Sequence, residues 1–296
     1  MKQNFLISTL LIASSALFAQ KPVTVEESSR TFSKGSATAY SATIPQSTLK
    51  DAEKDWMKYI ASGSKLKTTL VNGEYILLGA VNKNVSPNPF NVYSKLLETT
   101  EGINLTVWLT ENDTVFISKE LSPDKALAAE KFVRDFVVQE YRETVDAELK
   151  TENDKLEALE KEKDNLIKAE EKSAKKISEA QRSIQKSKDN INSGNAELQN
   201  LSYKISSQKS MVERTASDQN ANKGAKQTMK ELESEKKKLQ KGIETQNKNI
   251  DSMNKQIRDE ERNLAEGKEQ QKSKIAEIEK QKQVVLAVQT KLENIK

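Results

Sequence analysis

Residues 243–264 read IETQNKNIDSMNKQIRDEERNL and place an apolar side chain at every seventh position. These apolar residues are Ile243, Ile250, Ile257 and Leu264. The row continues on both sides, from Met229 to Leu292, with Lys236 and Gln271 as its polar interruptions. Apolar residues kept at heptad positions over this length are typical of a coiled coil. The alternative is a solvated charged helix whose spacing is accidental.

A second heptad row lies earlier in the chain and runs from Leu149 to Val212. Eight of its ten positions are apolar. The stretch between the two rows has no large apolar side chain and contains Asn220, Asn222 and Gly224, which favour turns and are poor helix formers. We therefore predict two helical arms that fold back on each other through a turn near residues 216–226. One unbroken helix with a three-residue stammer is the alternative.

The pairing register of the two arms follows from the same rows, because a positions face d positions in an antiparallel pair. If paired residue numbers add to 444, Ser173 faces Gln271. If they add to 437, one heptad away, Lys163 faces Lys274 and Lys236 is half-buried. Like charges and a buried lysine are both unfavourable. We therefore expect the register whose numbers add to 444.

Residues 20–144, called the head below, differ in composition from the arms. They contain both tryptophans and all five prolines of the chain. Alternating residues such as SATAYSATI at 36–44 predict strands, and Asn72-Gly73 and Gly102 predict hairpin turns. We expect an α+β domain in which an antiparallel sheet of roughly five to seven strands carries two helices on one face. A ferredoxin-like arrangement is one such topology.

Both helices of the head show start signals. For the first, we expect Ser47 as the N-cap and an apolar face that includes Trp56. The second begins at Ser122-Pro123-Asp124 and carries a wide apolar stripe made of Leu127, Phe132, Val133, Phe136, Val137 and Tyr141. No Gly or Pro interrupts residues 124–145, so this helix should continue from about residue 123 into the first arm. The coiled-coil hairpin then covers residues 145–296.

The first nineteen residues have the features of a signal peptide. Lys2 supplies a positive charge, FLISTLLIASSALF supplies an apolar core, and Ala19 is a small residue suited to cleavage before Gln20. A membrane anchor is the alternative, but the apolar run is shorter than the ~20 residues that span a bilayer. We expect an exported protein, periplasmic or secreted, with no transmembrane segment in the mature chain.

The composition excludes several kinds of chemistry. The chain has no Cys and no His, which excludes thiol nucleophiles, disulfides, histidine triads and His-ligated zinc. Neither a Walker-type phosphate loop nor a G-x-G-x-x-G motif occurs. The net charge of +4 does not mark a nucleic-acid binder. We therefore expect no catalytic residues, no cofactor, no metal and no nucleic-acid partner, and hence not an enzyme.

Charge is distributed unevenly along the predicted hairpin. Residues 172–248 contain 17 basic and 9 acidic side chains, a net charge of +8, whereas residues 150–171 and 249–296 together have a net charge of −2. This contrast predicts a surface that binds a protein partner in the cell envelope or another anionic surface. Its candidate residues are Lys204, Lys209, Arg214, Lys223, Lys226, Lys237 and Lys238. The alternative is a coat of lysines that only keeps the helices soluble.

A signal peptide, a β-rich body and a basic helical hairpin together resemble the periplasmic chaperones that hold unfolded outer-membrane proteins between helical tentacles. In that family the helices are inserted within the body, whereas here the body precedes them. The plan is similar, more loosely, to helical-hairpin activators of cell-wall hydrolases. We expect a non-enzymatic envelope protein that acts as an interaction or scaffold module. A holdase-type chaperone and an enzyme in the head are the alternatives, and an oligomer stays open.

Overall fold

A computed structural model describes residues 22–296, so the predicted signal peptide lies outside the described residues. The described chain forms two compact units, one made of residues 22–155 with Gln281–Lys296 and the other of Leu156–Lys280. The strands are β1 (Glu26–Phe32), β2 (Gly35–Ile44), β3 (Thr69–Val71), β4 (Glu74–Ala80), β5 (Phe90–Thr99), β6 (Gly102–Asn112) and β7 (Val115–Phe116). The helices are α1 (Leu49–Ile60), α2 (Pro123–Arg214) and α3 (Gln219–Glu293).

The head contains one seven-stranded sheet in the order β1-β2-β6-β5-β4-β3, with β7 paired to β6. Every neighbouring pair is antiparallel. The ferredoxin-like arrangement is nevertheless wrong, because two strands precede α1 and five lie between α1 and α2, whereas a ferredoxin-like domain has the order βαββαβ. The expected α+β class, with an antiparallel sheet followed by a helical hairpin, is confirmed.

The β5–β6 hairpin depends on Gly102. Its φ of +136° lies in a region that side-chain-bearing residues rarely adopt. A Cβ at this position would also overlap the backbone carbonyl of Ile44 on β2. Glycine is thus required here both by the turn conformation and by the close approach of the neighbouring strand.

Strand β3 forms one edge of the sheet and is only three residues long. All three residues are exposed, and Leu70 keeps 60% of its surface accessible. Lys65 and Lys67 precede the strand and are also exposed. Short edge strands flanked by lysines discourage pairing with another chain.

Helix α1 and the first part of α2 cover one face of the sheet, as expected. Trp56 on α1 is fully buried, and its Nε1 donates to Ser94 Oγ on β5 at 2.7 Å. The N-cap of α1 is Thr48, whose side chain accepts a hydrogen bond from Asp51 N at 3.2 Å. The expected cap, Ser47, instead donates to Glu140 at 2.8 Å. The predicted N-cap lies one residue before the observed one, because the hydroxyl of either Ser47 or Thr48 is suited to capping the helix.

At the start of α2, the buried residues lie one position away from those that the sequence predicted. Leu127 was expected in the core but is 66% exposed, and Ala126 and Ala129 are buried in its place. Small residues let the helix lie close to the sheet before the larger Phe132 and Phe136 fill the wider part of the core. The other predicted members of the stripe are buried as expected.

The last turns of α3 pack against α2 within the first unit. Tyr141 and Val145 on α2 form an apolar cluster with Val288 and Ile295 on α3 or just beyond it. Arg142 Nη1 also donates to Ile295 O at 3.0 Å. These contacts join residues far apart in sequence, as an antiparallel hairpin requires.

In the second unit, α2 and α3 pack as the two arms of a hairpin, so the single unbroken helix is excluded. The expected register is wrong. Ser173 Oγ donates to Glu260 at 2.8 Å rather than facing Gln271, and Gly194 lies against Ile243. The numbers of the second pair add to 437, so the observed pairing is one heptad away from the expected one.

The position of the turn explains this difference. Residues 215–218 connect the arms, at the N-terminal end of the expected range, and Asn220 and Gly224 lie inside α3. Asp218 caps α3 by accepting hydrogen bonds from Asn220 N and Ala221 N, both at 3.1 Å. A turn that lies earlier in the chain pairs each residue of α2 with a residue nearer the start of α3.

Candidate partner-binding surface

Each arm has two inward-facing heptad rows in the second unit. The rows described above are the a positions, and a d row follows three residues after each of them, with Gln208 as a member on α2 and Ala225 on α3. On α2 the buried members include Ala180, Ile184 and Leu201, and on α3 they include Ala225 and Ile278. The seven basic residues predicted to contact a partner all fall outside these rows and are exposed. The structure thus places every predicted contact residue on the solvent side of the hairpin.

The tip of the hairpin is held together by polar contacts between the arms. Gln208 Nε2 donates to Ala225 O at 3.0 Å, and Asn222 Nδ2 donates to Val212 O at 2.8 Å. Both bonds use side chains at positions of the heptad rows. They fix how the two helices lie against each other close to the connection at residues 215–218.

These contacts determine which lysines share a side of the hairpin. Lys209 directly follows Gln208 and Lys226 directly follows Ala225, so both occupy e positions beside the bonded pair. In an antiparallel coiled coil, e positions of the two helices lie on the same side. Two basic side chains that are 17 positions apart in sequence are therefore neighbours across the arms.

Three further lysines extend this side along α3. They occupy b positions, which adjoin e positions on a helix, and recur every seven residues. We call the resulting set the lysine flank: Lys209, Lys223, Lys226, Lys230 and Lys237. Lys230 was not among the seven predicted residues, although it lies seven residues from both Lys223 and Lys237.

The remaining predicted residues do not belong to the lysine flank. Lys204 occupies a g position, and Arg214 and Lys238 occupy c positions, which face the other side of the hairpin. Tyr203 directly precedes Lys204, and Met211 lies one turn before Arg214 on α2. Tyr203 is 70% exposed and Met211 is 52% exposed. The seven candidates thus divide between two sides of the tip.

The charges near the tip are not neutralised within the hairpin. Residues 177–243 contain 13 basic and 8 acidic side chains, and within the described chain none of them forms an ion pair. By contrast, Lys274 pairs with both Glu162 and Glu277, at 2.8 and 2.7 Å. The tip therefore keeps a positive field that an anionic partner could neutralise.

A buried carboxylate lies in the seam, the inward-facing contact between the arms, away from the lysine flank. Glu260 is only 7% exposed, and its carboxylate accepts hydrogen bonds from Lys176 Nζ at 2.6 Å and Ser173 Oγ at 2.8 Å. These bonds, led by the one from Lys176, lower the pKa of Glu260. The ionised form of Glu260 thus contributes to the packing of the arms.

The head contains a second group of titratable residues that no sequence motif indicated. One oxygen each of Asp55 on α1 and of Glu140 and Glu143 on α2 lies within 4.8 Å of the others. Burial raises the pKa of Glu140, against the opposing effect of the Ser47 hydrogen bond. A hard cation or a retained proton would each relieve the repulsion of such a cluster.

Within residues 22–296, no helix is both long and apolar enough to span a membrane. No protein-family model matches the chain, and no curated protein matches it either.

Proposed function

We propose that this chain is a non-enzymatic, exported protein of the cell envelope that binds an acidic protein partner through the tip of its helical hairpin. The observation that carries this proposal is the lysine flank. Its five basic side chains are exposed, lie on one side and have no ion-pair partner within the described residues. Export rests on the apolar, positively charged leader at residues 1–19.

The arrangement of the lysines favours a partner that lies along the hairpin. Lys223 and Lys237 are 14 residues apart in one helix, a distance of about 21 Å. The connection itself, residues 215–218, contains no basic side chain and includes Asp218. A flat anionic surface that met the tip end-on would contact these neutral or acidic residues rather than the lysines.

An acidic helix fits this surface best. Lys223, Lys230 and Lys237 recur every seven residues, so acidic side chains at heptad spacing on a partner helix could pair with them. Each exposed pair contributes only about 0–1 kcal/mol, so binding needs several pairs and weakens as salt screens them.

Charge reversal on each side of the tip tests the proposal. We expect Lys223→Glu, Lys226→Glu and Lys230→Glu together to abolish capture of the partner. The matched control reverses Lys204, Arg214 and Lys238 to Glu, which changes the net charge equally on the other side. Both variants should keep wild-type helicity by circular dichroism, because all six side chains are exposed.

The readout is photo-cross-linking from Gln227, an exposed residue of α3, in intact cells, followed by identification of the captured protein. Loss of the adduct only in the flank variant supports the proposal. Equal capture by all three proteins contradicts it and leaves the lysines as a solubilising coat. Suppression of aggregation of an unfolded outer-membrane protein by both variants would instead support a holdase-type chaperone.

A further inference from the structure

The hairpin sequence fits two registers almost equally well. The contact of Gly194 with Ile243 gives pairs whose numbers add to 437, and this register places Leu198 level with Leu239, Ile205 with Leu232 and Ile184 with Met253. A shift by one heptad replaces them with pairs of the same kind. Examples are Leu201 with Ile243, Ile205 with Leu239 and Ile191 with Met253. Apolar contact alone therefore does not choose between the two registers.

The sequence also contains a turn for the shifted register. Pairing numbers that add to 444 place the centre of the turn at residue 222, where Asn220, Asn222 and Gly224 lie. These turn formers are inside α3 in the observed structure. A Cβ added to Gly224 would meet nothing within 4 Å, so packing does not require glycine there. Glycine in a helix interior costs about 1 kcal/mol relative to alanine.

The contacts of Glu260 favour the observed register, whereas the facing Lys163 and Lys274 disfavour it. Lys274 reduces that cost by pairing with Glu162 and Glu277. In the observed register Glu260 lies level with Ile177 and bonds to the flanking Ser173 and Lys176. A shift by one heptad would place Glu260 level with Ile184, where Ala180 and Ser183 take the places of those two partners and no cation is left for the buried charge. A single polar residue in a coiled-coil seam is known to specify register at a cost in stability.

We propose that the hairpin has a second, minor register in which α3 is displaced by one heptad, about 10 Å, and the turn moves to the residues around Asn222. The hydrogen bonds of Glu260 keep the observed register dominant. The contacts of Val288 and Ile295 in the first unit also belong to the observed register.

The displacement would change the lysine flank. In the observed register Lys209 neighbours Lys226, and after the shift its neighbour across the arms would be Glu233. An acidic partner would therefore bind the observed register more tightly, and its binding would shift the population of registers. This consequence rests on the proposed function, whereas the existence of two registers does not.

Disulfide trapping in the cysteine-free chain measures the two registers separately. Ser187→Cys is combined with Ile250→Cys for the observed register, with Ile257→Cys for the shifted one, or with Ile243→Cys for a shift in the opposite direction. The three pairs share one partner and differ only in which isoleucine is replaced, so they are matched. The mature chain is oxidised at low concentration, and disulfides within one chain are quantified by mass spectrometry.

We expect the disulfide between the cysteines at positions 187 and 250 to form fastest and that between positions 187 and 257 to form more slowly. The disulfide between positions 187 and 243 should not form. If the pair with Ile257 forms no faster than that with Ile243, the second register does not exist. No partner protein is used, so this outcome is independent of the proposed function.

Replacing Glu260 gives a second test, which also predicts the direction of the change in the population of registers. Glu260→Leu should raise the rate of disulfide formation in the Ile257→Cys variant relative to that in the Ile250→Cys variant by about tenfold. The reason is that the hydrogen bonds that favour the observed register are lost. Helicity measured by circular dichroism checks that the arms remain folded. An unchanged ratio in a helical protein would overturn the role of Glu260.

Discussion

The core of the head and the seam of the second unit differ in how completely they are packed. Trp56, Leu77 and Leu105 in the head are fully buried, whereas most residues of the heptad rows keep part of their surface accessible. The head core interlocks side chains of many shapes, so one arrangement fits best. The seam repeats similar side chains every seven residues, so a displacement by one repeat gives nearly the same contacts.

The two regions can be monitored separately. Both tryptophans lie in the head, so fluorescence reports on its packing, whereas the circular dichroism of helices is dominated by α2 and α3. A perturbation that changes only one signal would show that the head and the arms unfold independently. One that changes both signals together would show that the two regions unfold as one.

The largest effect is expected for Gly102→Ala. The added Cβ would overlap the carbonyl of Ile44 at a φ that alanine rarely adopts, so the head should lose at least about 3 kcal/mol of stability. Urea unfolding followed by fluorescence measures this loss. Gly35→Ala is the control, because its φ is also positive but no atom lies within 4 Å of the added Cβ. Equal losses in both variants would rule out the close approach as the cause.

The same contrast explains what the sequence could predict. Period-two alternation, Asn72-Gly73 and Gly102 correctly predicted the strands of the head, since each is a local signal. Heptad spacing correctly predicted the arms. The register depends instead on one capping residue, Asp218, and on the partners of Glu260. Such contacts between distant residues are not visible in a periodic pattern.

The lysine flank was predictable only in part, for the same reason. The excess of basic residues was visible in the composition, but their division between two sides depends on the register. Lys209 and Lys226 become neighbours only after the turn is fixed at residues 215–218. The acidic cluster of Asp55, Glu140 and Glu143 was not predicted, because helix packing alone brings α1 and α2 together there.

The next largest effect is expected within the head. Glu140→Gln keeps the size of the side chain and an acceptor for Ser47 but removes a buried charge beside Asp55 and Glu143. Because the folded pKa of Glu140 is raised, its ionisation opposes folding as pH rises above the ordinary value near 4.5. The variant should therefore raise the melting temperature at neutral pH by a few degrees, as measured by fluorescence. Glu143→Gln, at an exposed residue, should have a smaller effect.

A smaller effect of opposite sign to that of Gly102→Ala is expected in the hairpin. Gly242 lies inside α3 with nothing within 4 Å of an added Cβ, so Gly242→Ala should stabilise the helix by about 0.5–1 kcal/mol. The measurement is urea unfolding followed by circular dichroism. Gly194→Ala is the comparison, because its Cβ would lie 3.0 Å from Ile243 Cγ1 and offset the gain. A loss of stability in Gly242→Ala would show that its position has an unrecognised contact.

The smallest effect is expected from acid. The pKa of Glu260 is lowered in the folded state by its bonds to Lys176 and Ser173, so its contribution is present above the unfolded value and disappears as pH falls through the folded one. Helicity should therefore become less resistant to urea below about pH 4. In Glu260→Gln this part of the pH dependence should vanish, and its persistence would assign the effect to other carboxylates.

The short edge strand β3 has a consequence for how the protein behaves at high concentration. Three exposed residues preceded by Lys65 and Lys67 offer few free backbone groups for a strand of a second molecule to pair with. Fibrous aggregation through this edge is therefore disfavoured even though Leu70 is exposed. A blunted sheet edge is thus one way in which a folded protein stays dispersed without help from a chaperone.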